Sequence, residues 1–252
     1  MRNTELEKII DHELKSHLFK DYAPNGLQVE GRPSVHKIVT GVTASQALID
    51  RAIDEQVDAI LVHHGYFWKN ESAIITGIKR NRLKALLEND INLFAYHLPL
   101  DAHPVLGNNA QLGHLLGVDM LGILKPEDVT SLVFHGEYDQ PQTPEQVIER
   151  LEQTLNHSVL YCGDNAPEVI RRIAWCSGGG QDFIEQAVQQ GAQAFVTGEV
   201  SERTIHIARE MGIHFFACGH HATERYGIKA LGEWLATNYD MQVTFIDIDN
   251  PA

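Results

Sequence analysis

Apolar positions at helical spacing open the chain. Leu6, Ile9, Ile10, Leu14 and Leu18 fall on one side of a helix over the first twenty residues. Ala23-Pro24-Asn25-Gly26 then supplies turn chemistry that ends it. Beyond the turn the period changes. Lys37-Ile38-Val39-Thr40-Gly41-Val42 reads as a short strand, and residues 45–55 as a helix striped by Ala47, Leu48, Ala52 and Ile53. Ala59-Ile60-Leu61-Val62 has no polar position, as expected of a strand covered on both faces. A helix near 81–89 and the strand Ile91-Asn92-Leu93-Phe94-Ala95-Tyr96 follow. Strands alternating with helices predict an α/β fold with mostly parallel sheets.

The pattern then recurs. Residues 38–64 align without a gap on 173–199, placing Gln46 on Gln181, Ile49 on Ile184, Ala52 on Ala187 and Ala59 on Ala194. Ile91-Asn92-Leu93-Phe94-Ala95 matches Ile213-His214-Phe215-Phe216-Ala217. Two similar α/β domains are therefore expected, residues 1–124 and 125–252. Between the repeats, Leu132-Val133-Phe134, a helix over 144–155 and Val159-Leu160-Tyr161-Cys162 read as strand–helix–strand, joined to the second domain. A helix through Leu231 and Trp234 and the strand Val243-Thr244-Phe245-Ile246 close the chain.

Composition adds bounds. With 43% hydrophobic and 21% charged residues the chain is ordinary globular protein, and 252 residues can bury two modest cores. A net charge of −14 disfavours broad binding to phosphate backbones. The three cysteines make no C-x-x-C pair, so neither a disulfide framework nor a thiolate zinc site is expected. The charged opening residues carry no signal-peptide pattern, and no apolar run approaches the ~18 residues of a membrane span. The expected location is the cytoplasm.

Histidine changes the picture, because fourteen occur and several follow apolar strands. Ala59-Ile60-Leu61-Val62 runs into His63-His64. Phe94-Ala95-Tyr96 runs into His97, with Asp101 four residues on. Phe215-Phe216-Ala217-Cys218 runs into Gly219-His220-His221, with Glu224 behind. In open parallel sheets, ligands bind beyond the carboxyl ends of strands. Imidazoles with two carboxylates suit Zn, Mn, Fe or Ni, and suit two ions better than one. A helix starting at His220 would put His220 and Glu224 on one face. His97 and His221 are ligand, orienting or proton-shuttle candidates. Glu199 stands in the second repeat where His64 stands in the first. His103, His114, His135 and His157 lack such a setting and read as surface or core. Ser177-Gly178-Gly179-Gly180 is a glycine-rich βα turn that could cradle an anion, though plain tight turns are commoner. Gly107-Asn108-Asn109 reads most simply as an N-cap.

Several motifs together resemble a known family: Asn25-Gly26-Leu27-Gln28-Val29-Glu30-Gly31, His63-His64-Gly65, Leu100-Asp101 with Gly107-Asn108-Asn109, Thr197-Gly198-Glu199, and Gly219-His220-His221-Ala222-Thr223-Glu224. The chain is similar over its whole length to the Nif-three-like dinuclear metal-centre family, whose members are often labelled GTP cyclohydrolase 1 type 2 homologues. The resemblance implies two interlinked α/β domains and a toroidal homohexamer, a trimer of dimers. It implies two divalent ions per chain held by His63, His64, Asp101, His220 and Glu224, with Glu224 as the bridge. His97, His221 and Glu199 are then the candidates for catalytic proton transfer. The implied activity is metal-dependent hydrolysis of a nucleotide or related small molecule. The alternative is a non-catalytic metal-binding ring protein with a stress-response or DNA-damage role.

Overall fold

Four consecutive apolar residues cannot sit on a half-solvated sheet, and Ala59-Ile60-Leu61-Val62 accordingly forms a strand buried along its whole length. The computed structural model describes residues 1–252. In chain order its elements are α1 (Asn3–Leu14), β1 (Gly26–Val29), β2 (Lys37–Thr43), α2 (Gln46–Asp54), β3 (Ala59–His64), α3 (Gly77–Glu88) and β4 (Asn92–Ala95). Next come α4 (Leu98–Ala102), α5 (Asn108–Leu116), β5 (Asp119–Ile123), β6 (Phe134–Gln142), α6 (Pro144–Leu155), β7 (Leu160–Cys162) and β8 (Ile170–Cys176). The chain ends with α7 (Ile184–Gln189), β9 (Ala194–Thr197), α8 (Glu202–Met211), β10 (His214–Ala217), α9 (His220–Tyr239) and β11 (Gln242–Phe245).

Two compact units result. The first comprises Met1–Leu100 and Ile228–Asp249, the second Asp101–Gly227 and Asn250–Ala252. Residues 101–124, expected with the first domain, thus group with the second, and 228–249 group with the first. The physical reason for the latter is strand pairing. Residues 242–245 form β11, which adds parallel to β2 in register Val243↔Ile38 and completes the first sheet. Hydrophobic periodicity identifies such a strand but not its partner.

The first sheet has the order β1-β4-β3-β2-β11, and only β1 runs antiparallel. Helices α2 and α3 cover one face, where Leu48, Ile49, Ala52, Leu83 and Leu86 pack on Val39, Ile60, Val62 and Leu93. The later part of α9 packs on β2 through Gly232, where a Cβ would lie 2.9 Å from Thr40 Cγ2.

The second sheet has the order β5-β6-β8-β9-β10-β7. Only its β8–β9 and β9–β10 pairs are parallel, so this sheet is mixed. One side of its core gathers Leu112, Leu116, Val147, Leu151, Trp175 and Phe216. The other gathers Cys176, Ile184, Ala187, Phe195, Ala208 and Phe215.

The internal repeat is more extensive than its sequence trace. The run α1-β1-β2-α2-β3-α3-β4-α4 corresponds to α6-β7-β8-α7-β9-α8-β10-α9 in element type and order. In each sheet a short antiparallel strand flanks three parallel ones: β1 beside β4-β3-β2, and β7 beside β10-β9-β8. Both α/β units are therefore as the sequence predicts in kind.

Candidate metal centre

In the first unit the candidate ligands sit at the carboxyl ends of β3 and β4, where a parallel sheet leaves its loops. His63 is fully buried, and its Nδ1 donates to the Tyr96 carbonyl at 3.0 Å. A carbonyl can only accept, so this bond fixes the tautomer and turns the ligating lone pair to Nε2. His64 Nδ1 lies 3.2 Å from Thr43 Oγ1 on the neighbouring strand.

His97 follows the same logic with a stronger partner. Its Nδ1 donates to Asp21 Oδ1 at 2.7 Å. Asp21 Oδ2 also accepts the Leu98 N–H at 2.9 Å and the Asn25 side-chain amide at 3.0 Å. The Asn25 carbonyl oxygen takes the His97 N–H at 2.8 Å. Burial pushes the Asp21 carboxyl up, but the His97 hydrogen bond and charge, with Asn25 and the Tyr22 amide, outweigh it and leave the pKa lowered. The ligand nitrogens of His63, His64 and His97 all lie within 4.8 Å of one another. Trp68 stands edge-to-face on His97, with ring centroids 5.0 Å apart.

The second unit contributes from α4 and from the ends of β8, β9 and β10. Asp101 is buried; its Oδ1 accepts from Asn108 Nδ2 at 2.9 Å and from Ser177 Oγ at 3.3 Å. Asn109 Nδ2 donates to the Asp101 carbonyl at 3.2 Å, and Asn109 Oδ1 accepts the Ser177 N–H at 2.8 Å. The segment 107–109 therefore caps α5 as expected and also does something more. Gly107 caps α5 without a side chain, and Asn108 and Asn109 hold Asp101 and the turn after β8.

Helix α9 begins at His220, so His220 and Glu224 share a face, with Nε2 3.1 Å from Oε2. His220 Nδ1 lies 2.6 Å from Glu199 Oε1. Burial alone would lower the His220 pKa. The hydrogen bonds and charges of Glu224, then of Glu199, win and raise it to about 9. The His220 ring thus spans two carboxylates, one at each nitrogen. Glu199, a catalytic candidate by sequence, orients His220 as Asp21 orients His97. His221 is buried, gives its N–H to the Ala252 carbonyl at 3.0 Å, and falls outside the ligand groups.

The glycine turn belongs to this arrangement. Gly178 has φ +60°, and a Cβ there would lie 2.0 Å from Glu224 Oε1. Its N–H donates to Thr223 Oγ1 at 2.9 Å. The turn thus packs against carboxylates, which is a poor setting for an anion unless cations neutralise them. Cys176, just before it, is buried, and burial with Asp101 and Glu224 nearby pushes its thiol pKa up.

The donor set fits divalent ions. Asp101 and Glu224 are only 6% and 3% exposed, and their carboxylate oxygens lie within 4.8 Å. Two such charges need a proton or a cation near them. The nitrogen and oxygen donors, with tautomers set by Tyr96 and Asp21, suit Zn, Mn, Fe or Ni.

Fold and site together define an α/β protein of two repeated units, each carrying side chains that could ligate a metal at the carboxyl edge of its sheet. Comparison with known proteins places it more closely: the chain belongs to the Duf34/NIF3 (NGG1p interacting factor 3) family, whose model matches residues 1–251. A Yersinia pestis protein named GTP cyclohydrolase 1 type 2 homolog is 63% identical over all 252 residues of both chains. The protein of that name from Escherichia coli K12 is 60% identical, again over the whole of both chains. A solved structure described as protein ybgI, of unknown function, superposes with a TM-score of 0.96 at 60% identity and full coverage of both chains. The structure of TTHA1606 from Thermus thermophilus gives 0.89 at 32% identity, also with full coverage.

Proposed function

We propose that His63, His64, Asp101, His220 and Glu224 would together hold two divalent ions per chain. We propose further that the protein is a hydrolase acting on a nucleotide or related small molecule. The observation that carries this reading is the buried Asp101–Glu224 carboxylate pair with His220 Nε2 beside it. The names of the Yersinia and Escherichia relatives point to the same class of reaction.

Bound ions would supply Lewis acidity and make water acidic enough to react at neutral pH. The chain's own residues do the rest. Tyr96, Asp21 and Glu199 fix the rings of His63, His97 and His220 through their Nδ1 atoms. Asn108 and Ser177 orient Asp101. His97 is the residue we assign to proton transfer at Nε2, because Asp21 holds its ring through Nδ1.

The test is metal content per chain in native protein, His64→Ala and Glu224→Ala, together with turnover of a nucleotide panel. Two ions should fall to one or none, and turnover should fall with them. Unchanged metal content in both variants would show that the ligands are misassigned. Full occupancy with no turnover of any nucleotide would remove the hydrolase and leave the metal site.

A further inference from the structure

Six non-glycine residues have positive φ: Lys15, Gln56, Phe67, Asp90, Asn156 and Asp240. Five of them follow the ends of helices α1, α2, α3, α6 and α9, where the left-handed conformation is an ordinary way to stop. Phe67 is the exception. At φ +65° it lies three residues after His64, in the connection between β3 and α3. A bulky residue there is an outlier, and such strain persists only where its surroundings impose it.

The surroundings do impose it, and what they fix is Trp68. Before it, Gln28 clamps Tyr66 twice, accepting its N–H at 2.7 Å and donating to its carbonyl at 3.1 Å. The Tyr66 hydroxyl donates to the Ala44 carbonyl at 2.7 Å. After it, the Lys69 N–H donates to the Tyr22 carbonyl at 2.7 Å. The Trp68 N–H itself goes to Glu71 Oε2 at 3.1 Å, and Glu71 pairs with Lys79 at 3.3 Å. Lys79 in turn stands 5.0 Å over the Phe67 ring. The left-handed step thus turns the chain so that the indole faces back onto the imidazoles, 5.0 Å from His97 and 6.0 Å from His64.

None of these hydrogen bonds involves the indole N–H. The fully buried Trp175 gives its N–H to the Asn109 carbonyl at 2.7 Å, whereas that of Trp68 meets no acceptor in the chain. Trp68 is half-buried, so its ring contributes to no core cluster. A rigidly held aromatic face with a spare donor, set against metal-ligating imidazoles, suits a flat ring bearing hydrogen-bond acceptors.

We propose that Trp68 is a specificity-determining residue that stacks a planar heteroaromatic ring, of nucleobase type, beside the candidate ligands. The inference rests on the hydrolase reading for its purpose, but its test does not need turnover. Native, W68F and W68L proteins loaded with Zn²⁺ are titrated with guanosine, GTP and ribose 5-phosphate, following binding by calorimetry and tryptophan emission. Guanosine and GTP should bind and quench native emission, while ribose 5-phosphate should not quench. W68F should lose the quenching yet keep affinity within about threefold, and W68L should weaken guanosine about tenfold or more. Metal content should be the same in all three. Quenching by guanosine that disappears in W68F carries the proposal even if W68L fails to fold. Equal guanosine affinity in native and W68L, equal binding of ribose 5-phosphate and guanosine, or no quenching by any probe would overturn it. Quenching without turnover would sink the hydrolase and leave the stacking role intact.

Discussion

At Gly178 the backbone passes where no side chain fits, because a Cβ would meet the Glu224 carboxylate at 2.0 Å. At its neighbour Gly179 a Cβ would make only ordinary contacts, with the nearest atom 3.8 Å away. The two glycines therefore separate close approach from mere turn composition. Gly178→Ala should displace Glu224 and lower metal content, whereas Gly179→Ala should leave it unchanged; metal analysis of the two purified variants checks this. Asp58 offers a different residue-scale test. Its Oδ2 accepts the N–H groups of His36 and Lys37 at 2.9 Å each, and Arg32 pairs with Oδ1 at 3.1 Å. Burial raises its pKa, but the Lys37 and His36 amides and then the Arg32 charge win and lower it below 3.8. A lowered folded pKa means stability that is complete above the unfolded value and lost as pH falls through the folded one. Asp58→Asn should cost about 1–2 kcal/mol at pH 7. The difference from native should shrink as pH drops below 3.8, as followed by urea unfolding. The candidate ligands could be picked out as candidates because histidines and acids follow apolar strands. Asp21 and Trp68 were not, since Asp21 meets His97 across 76 positions and Trp68 reads as one more aromatic in a loop.

Helix α6 shows an element set by its first four residues. Thr143 accepts the Gln146 N–H, and the Gln146 side chain accepts the Thr143 N–H at 2.8 Å, with Pro144 at the first helical position. Thr143→Ala should destabilise the protein by about 1 kcal/mol, seen as a lower denaturant midpoint with unchanged slope. Elements with long apolar periods were legible along most of the chain, helix α8 excepted. Two short strands were not. β1 begins at Gly26, inside a stretch whose composition reads as a turn, and β5 is half exposed, with no apolar run to mark it. For β11 the strand was legible and the sheet was not, because Val243 and Phe245 alternate equally well against any half-covered edge.

For the molecule as a whole, the repeat of eight elements shows one architecture used twice, with the candidate ligands at the same topological edge each time. No helix is long and apolar enough to cross a membrane. The homohexamer implied by the family resemblance is a proposal at this scale. Light scattering should give about six times the 28.2 kDa of one chain, and a monomeric or dimeric mass would overturn it. The addition of β11 to β2 bears on how the protein is made. A ribosome releases the chain from its amino end, so β2 emerges long before its last neighbour does. About two hundred residues must be synthesised before that edge is covered, and until then it offers unpaired amides to any passing strand. The first sheet is thus completed only by its most distant strand, and its nascent form is where a chaperone would be needed.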